Sequence, residues 1–100
     1  MNVRVGPENN ETRALLDLVD FTGKRVLEVG CGDGRLTWRY ADRAAHVTGI
    51  DPFEQSIARA KANTPTNLKN RVEFRHIGFD NFAAASESSM FDIAILSWSL

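Results

Sequence analysis

The chain has 100 residues, 43% of them hydrophobic and 25% charged, and a formal net charge of −1 at pH 7. That size and balance describe one small globular domain. They leave sequence-independent nucleic-acid binding through a basic face unsupported, and no apolar run approaches the roughly 18 residues that a membrane helix requires.

The lone cysteine, Cys31, rules out an internal disulfide and a metal held by paired thiolates within these residues. The opening "MNVRVGPENN" lacks the apolar stretch of a secretory signal, so a cytoplasmic location is the expectation. Along the chain, Leu15, Leu18 and Val19 are spaced for a helix over Glu8 to Val19, with Asn9 and Asn10 able to cap it and Gly23 able to end it. Arg25 to Val29 is a short apolar strand. Leu36 and Tyr40 lie four apart and predict a second helix from Arg35 to about Arg43.

"HVTGID", His46 to Asp51, reads as the next strand. A third helix follows from Glu54 to Asn63, with Ile57, Ala58 and Ala60 on its inner face, and Pro65 prevents its continuation. "RVEFRHI" alternates apolar and polar residues as a half-buried strand does. "NFAAASESS" is a small polar loop or short helix, and "FDIAILSWS" is a fourth strand, apolar almost throughout. Strands alternating with helices predict an α/β fold, a parallel sheet in a three-layer α/β/α arrangement. Right-handed crossovers place the second strand beside the first and the third beyond it, and the fourth returns to the first strand's other side. Ligands in such sheets bind at that switch point, outside the carboxyl ends of the strands.

Three alternating glycines, Gly30, Gly32 and Gly34, stand at the carboxyl end of the first strand in "LEVGCGDGR". Glycine there lets the backbone turn sharply and lets a ligand approach without meeting a Cβ. A helix starting at the same place would add free N–H groups and partial positive charge for a carboxylate or phosphate. Asp51 lies seventeen residues after Gly34, at the tip of the second strand, where an acidic side chain accepts hydrogen bonds from ribose hydroxyls. Dinucleotide folds want G-x-G-x-x-G, yet residue 35, at the third-glycine position, is arginine. That argues against an NAD-binding oxidoreductase domain, the first alternative.

The G-x-G-x-G pattern after an acidic residue resembles motif I of the class I methyltransferases, which use S-adenosyl-L-methionine. "VTGIDPFEQSIARAKAN", "RVEFRHIGFDNF" and "FDIAILSWSL" resemble their second, third and fourth motifs, so the likeness runs from about Glu11 to Leu100. The resemblance implies a Rossmann-like sheet of seven strands in the order 3-2-1-4-5-7-6. These residues would supply its N-terminal four strands, as one truncated cofactor-binding domain spanning 1–100. The fourth strand, central in the whole fold, would then be an exposed edge open to association with another chain.

The resemblance also implies roles. Gly30, Gly32 and Gly34 would line the methionine end and the sugar of the cofactor. Glu28 would sit beneath the glycine turn and fix it, and Asp51 would hold the ribose hydroxyls. Pro52 and Phe53 would flank the adenine, and Ser97 would face the methionine moiety or the acceptor. The family's adenine-contacting Asp has no exact counterpart: Gly78 falls at its position, and Asp80 follows two residues later. Either Asp80 makes that contact or backbone groups of Gly78 and Phe79 do. The implied chemistry is methyl transfer to a small-molecule acceptor, and no residue stands out as a catalytic base. A non-catalytic Rossmann-like partner subunit is the second alternative. Cys31 reads as a small buried residue, His46 and His76 as solvent-facing, Trp38 and Tyr40 as packing, and Asp92 as structural.

Overall fold

The computed structural model describes residues 2–5, 19–78, 81–82 and 90–97; of residues 2–5 and 97 it describes the backbone. Five strands form one sheet: β1 (Asn2–Val5), β2 (Arg25–Val29), β3 (His46–Asp51), β4 (Val72–His76) and β5 (Ile93–Ser97). Their order is β1-β5-β2-β3-β4, and every adjacent pair is parallel. The α/β class and the placing of β2 to β5 agree with the reading from sequence.

Local chemistry explains these strands. Val26, Leu27 and Glu28 of β2 are all buried, as expected for a strand covered on both faces. In β4 the burial alternates: Val72 and Phe74 point inward, while Glu73 and Arg75 are exposed. That period of two fits an edge strand, and the charges discourage pairing with another chain. On one face Val26, Val47, Phe74 and Ile95 pack with Ile57 and Ala60 of the helix α1 (Glu54–Asn63). On the other face Leu27, Ile50 and Phe82 form a smaller cluster.

The helix α1 spans the predicted residues. Its ends suit the macrodipole, with Glu54 in the first turn and Lys61 in the last. Beyond it Thr64 Oγ1 donates to the Ala60 carbonyl at 2.8 Å, and Pro65 follows. Across the sheet's lower edge, Arg25 and Asp92 tie the starts of β2 and β5 together. The Arg25 N–H donates to Asp92 Oδ2 at 2.9 Å, and the guanidinium pairs with Oδ1 at 3.3 Å. That is the structural role expected of Asp92.

Three expectations need correction. First, the fourth predicted strand, β5, is not an edge. Asn2, Val3, Arg4 and Val5 pair in register with Ala94, Ile95, Leu96 and Ser97, so β1 covers it and removes the proposed association surface. A four-residue strand leaves little periodic signal, and its pairing is fixed by a partner some ninety residues away. Second, the described sheet therefore has five strands, not four. Third, the segment from Arg35 to Arg43 is wound but is not a regular α-helix: only Thr37–Arg39 forms a 3₁₀ turn. Bonds to the fourth preceding residue (Trp38 N–H to Gly34, Ala41 N–H to Thr37) alternate with bonds to the third (Arg39 to Leu36, Tyr40 to Thr37). The expected helix over Glu8 to Val19 lies outside the described residues except for Val19, which is buried.

Candidate functional site

At the end of β2 the chain reverses through Gly30, Gly32 and Gly34, with φ of 76°, 58° and 91°. All three lie in the left-handed region that favours glycine. A Cβ on Gly34 would also stand 2.7 Å from the Trp38 ring. The turn is laced to the tip of β3. Gly30 and Cys31 N–H groups both donate to the Ile50 carbonyl, at 2.8 and 3.1 Å, and Gly34 N–H donates to the Cys31 carbonyl at 3.1 Å. Gly32 N–H donates to Asp51 Oδ2 at 3.0 Å. The glycines thus present bare backbone rather than free donors, and the segment that follows is too short and irregular for a helix-terminus anion site. That corrects the expectation of free N–H groups there.

Asp51 ends β3 and is buried. Its Oδ1 accepts the Phe53 N–H at 2.9 Å while Oδ2 holds Gly32. One carboxylate therefore joins the glycine turn to the loop before α1, and its remaining lone pairs are left for hydroxyl donors. Asp51 does not cap α1 by itself, because the N-cap is Phe53 and has no side-chain bond. Pro52 and Phe53 follow at the same rim. Phe53 is 70% exposed, a large apolar surface beside the carboxylate. From β4, Ile77 N–H donates to the Asp51 carbonyl at 3.1 Å, and His76 Nε2 donates to the Pro52 carbonyl at 3.0 Å.

Glu28 lies directly under the turn, fully buried. Thr37 Oγ1 donates to its Oε1 at 2.9 Å, and the Tyr40 hydroxyl donates to the same oxygen at 2.5 Å. Burial pushes the carboxyl up to about 7, against the opposing pull of those two hydroxyls. Tyr40 is itself held by Phe21, whose ring stacks on it with centroids 4.4 Å apart. Cys31 is buried, and desolvation raises its thiol well above the ordinary range, so it is an inert packing group.

The structure brings together Glu28, Gly30, Gly32, Gly34, Asp51, Pro52 and Phe53 at the carboxyl ends of β2 and β3. Gly78 is near, just past β4, where its carbonyl accepts the Phe82 N–H at 3.0 Å and no atom lies within 4 Å of where a Cβ would be. Phe79 and Asp80 lie outside the described residues. Ser97 ends β5 opposite Val5, and its side chain is outside the description. Sequence reasoning missed Thr37, Tyr40 and His76. A signal existed for the first two: Thr37 and Tyr40 are three apart on a wound segment, hence on one face, nine and twelve residues after the acid they hold, just beyond the glycine turn. Among the described residues, no group of three or more His, Cys, Asp and Glu side chains could hold a metal ion.

A parallel sheet with a glycine turn after one strand and a buried carboxylate at the tip of the next is the architecture of a Rossmann-like nucleoside-binding protein. A family model described as "Methyltransferase domain" matches residues 26–100. The chain is 38% identical over 82 residues to a ubiquinone biosynthesis O-methyltransferase of Aromatoleum aromaticum, covering 78% of this chain and 34% of that protein. It is 43% identical over 75 residues to the same-named protein of Neisseria meningitidis serogroup C, covering 74% and 31%. A solved structure, a putative S-adenosylmethionine-dependent methyltransferase from Listeria monocytogenes, superposes with a TM-score of 0.69 at 30% identity, over 83% of this chain and 37% of that one. The chain belongs to the methyltransferase domain family. It spans about a third of the length of the curated relatives it matches.

Proposed function

We propose that this chain binds S-adenosyl-L-methionine at the carboxyl ends of β2 and β3, as the cofactor-binding part of an enzyme that methylates an oxygen of a small molecule. The observation that carries the reading is the Asp51 carboxylate, buried at the strand tip and bonded to Gly32 N–H and Phe53 N–H. The donor set fits the cofactor: a carboxylate for vicinal hydroxyls, glycines that clear a path for the amino-acid arm, and an exposed Phe53 ring for an aromatic base. The relatives' names support an O-methyl acceptor of the quinone class.

When bound, the cofactor supplies an electrophilic methyl group on a sulfonium. The chain's own contribution is placement. Asp51 fixes the sugar, and Glu28 braces the glycine turn through Thr37 and Tyr40. Either Asp80 or backbone groups of Gly78 and Phe79 would contact the base, and Ser97, which ends β5, would face the methionine moiety or the acceptor. Holding donor and acceptor in line is the main requirement of such a transfer. The NAD alternative draws no support from any comparison, and Arg35, paired with Asp33 at 3.2 Å, occupies the position where its glycine would be.

Calorimetric titration with S-adenosylhomocysteine tests the reading, with NAD as control. The expected result is saturable binding by the chain, weakened at least tenfold in Asp51→Ala, and no heat with NAD. A folded chain that ignores S-adenosylhomocysteine, or binds NAD as well, overturns it.

A further inference from the structure

Among the described residues, the buried acid Glu28 has no counter-ion. In register it faces Gly49 of β3 and Ile95 of β5, so neither flanking strand brings a charge to its level. The wound segment supplies the hydroxyls of Thr37 and Tyr40, and both bond to Oε1. Oε2 is the single buried side-chain polar atom without a hydrogen-bond partner among the described residues. Among the described residues the other titratable groups of the turn are the Cys31 thiol and the carboxylates of Asp33 and Asp51, none of which supplies a positive charge to balance an ionised Glu28. Arg43 lies over the Phe21 ring at 5.8 Å and makes no hydrogen bond to the acid. An ionised carboxylate so placed lacks the pairing that buried charges require.

We propose that Glu28, Thr37 and Tyr40 form a proton-linked latch beneath the glycine turn: the acid is carried neutral in the ligand-free chain and releases its proton when the cationic cofactor settles on the turn. The proposal rests on the cofactor reading above. In the step, the O–H bond of Glu28 breaks and the proton passes to solvent. The charge left behind is balanced by the ligand's ammonium and sulfonium, because a nearby cation favours the ionised acid. The ionised carboxylate then grips Thr37 and Tyr40 more tightly, since charge-assisted hydrogen bonds are the stronger kind. Loss of the methyl removes the sulfonium charge and with it part of the reason for Glu28 to stay ionised. Product release is thereby coupled to proton uptake.

Two measurements on the whole chain test this. Calorimetry with S-adenosylmethionine and S-adenosylhomocysteine at pH 7, in phosphate and in Tris, reads proton release from the buffer dependence of the heat. Proton release up to one per S-adenosylmethionine is expected, equal to the share of Glu28 that is neutral in the ligand-free chain at that pH, and less with S-adenosylhomocysteine. Binding with identical heats in both buffers overturns the latch and leaves the cofactor reading standing. Binding of neither ligand overturns the cofactor reading, and the trigger of the latch with it. Independently, a carbon-13 titration of the glutamate carboxyls of the ligand-free chain should show one acid titrating near neutrality. Its midpoint should move further up in Tyr40→Phe, or in Thr37→Val should the first variant fold poorly. If every glutamate titrates in the ordinary range near 4 to 5, the proton-holding acid does not exist and the proposal fails.

Discussion

Gly49→Ala is the sharpest test of how the sheet supports the site. Gly49 sits in the middle of β3, level with Glu28. A Cβ there would stand 2.7 Å from Phe74 Cδ1, 2.8 Å from Cε1 and 3.1 Å from Cys31 Cβ. Carbon atoms prefer roughly 3.5–4.0 Å, so the Phe74 ring must retreat by nearly an ångström. It has little room, because the Trp38 ring meets it edge-on with centroids 5.6 Å apart. Overpacking of this kind costs about 1–3 kcal/mol, and the loss of glycine's freedom in the unfolded chain returns about 0.4–1 kcal/mol. The net expectation is a destabilisation of about 1–2 kcal/mol, or a fall in Tm of roughly 5–15 °C for a chain of this size. Phe74→Leu removes the clashing ring edge and by itself also destabilises. In the double variant the two losses should fall short of additivity by about 1 kcal/mol, as neighbours in contact do. Urea unfolding followed by far-UV circular dichroism measures all three. Strict additivity, or a Gly49→Ala chain as stable as the parent, would refute the contact.

Other expectations follow from the same geometry. Glu28 titrates higher in the folded chain (about 7) than its ordinary 4.5, so its contribution to stability is fully present below pH 4.5 and is lost as the pH rises through about 7. The loss is on the order of 3 kcal/mol; thermal melts should decline from pH 5 to 8, and a flat profile would contradict it. Asp92 behaves oppositely: Arg25 holds it down to about 2, so its contribution is present above 3.8 and fades as the pH falls toward 2. Asp92→Ala should lower stability modestly, and 1 M salt should relieve only part of the loss, since the backbone bond from Arg25 is less screened than the exposed pair. Gly34→Ala combines a φ of 91° with a 2.7 Å approach to Trp38; it should weaken S-adenosylhomocysteine binding and shift Trp38 fluorescence, and an unchanged spectrum would count against the packing.

Much of this protein was legible in its residues because the relevant physics is local. Apolar runs bounded by turn residues mark β2 to β5, the period of two in "RVEFRHI" marks a half-buried strand, and Pro65 marks the end of α1. The glycine turn was legible for the same reason: positive φ at three alternate positions demands glycine wherever the chain goes next. Asp51 followed from its distance along a strand–helix–strand unit. These features needed no knowledge of neighbours.

What only the tertiary structure decided depends on contacts between distant parts of the chain. Four residues, Asn2–Val5, carry too short a pattern to announce a strand, and they become one because β5 offers a free edge with matching register. The segment after Gly34 has the apolar spacing of a helix, yet it winds irregularly where Gly34 packs on Trp38 and Glu28 draws in Thr37 and Tyr40. The free N–H groups expected of a helix start after the turn are not offered by a regular helix, and the glycines' own N–H groups are taken by Ile50, Asp51 and Cys31. The acid of "LEVG" could be placed beneath the turn from its motif, but its two hydroxyl partners and its unpartnered oxygen could not. Those follow from desolvation and from which side chains the fold closes around it.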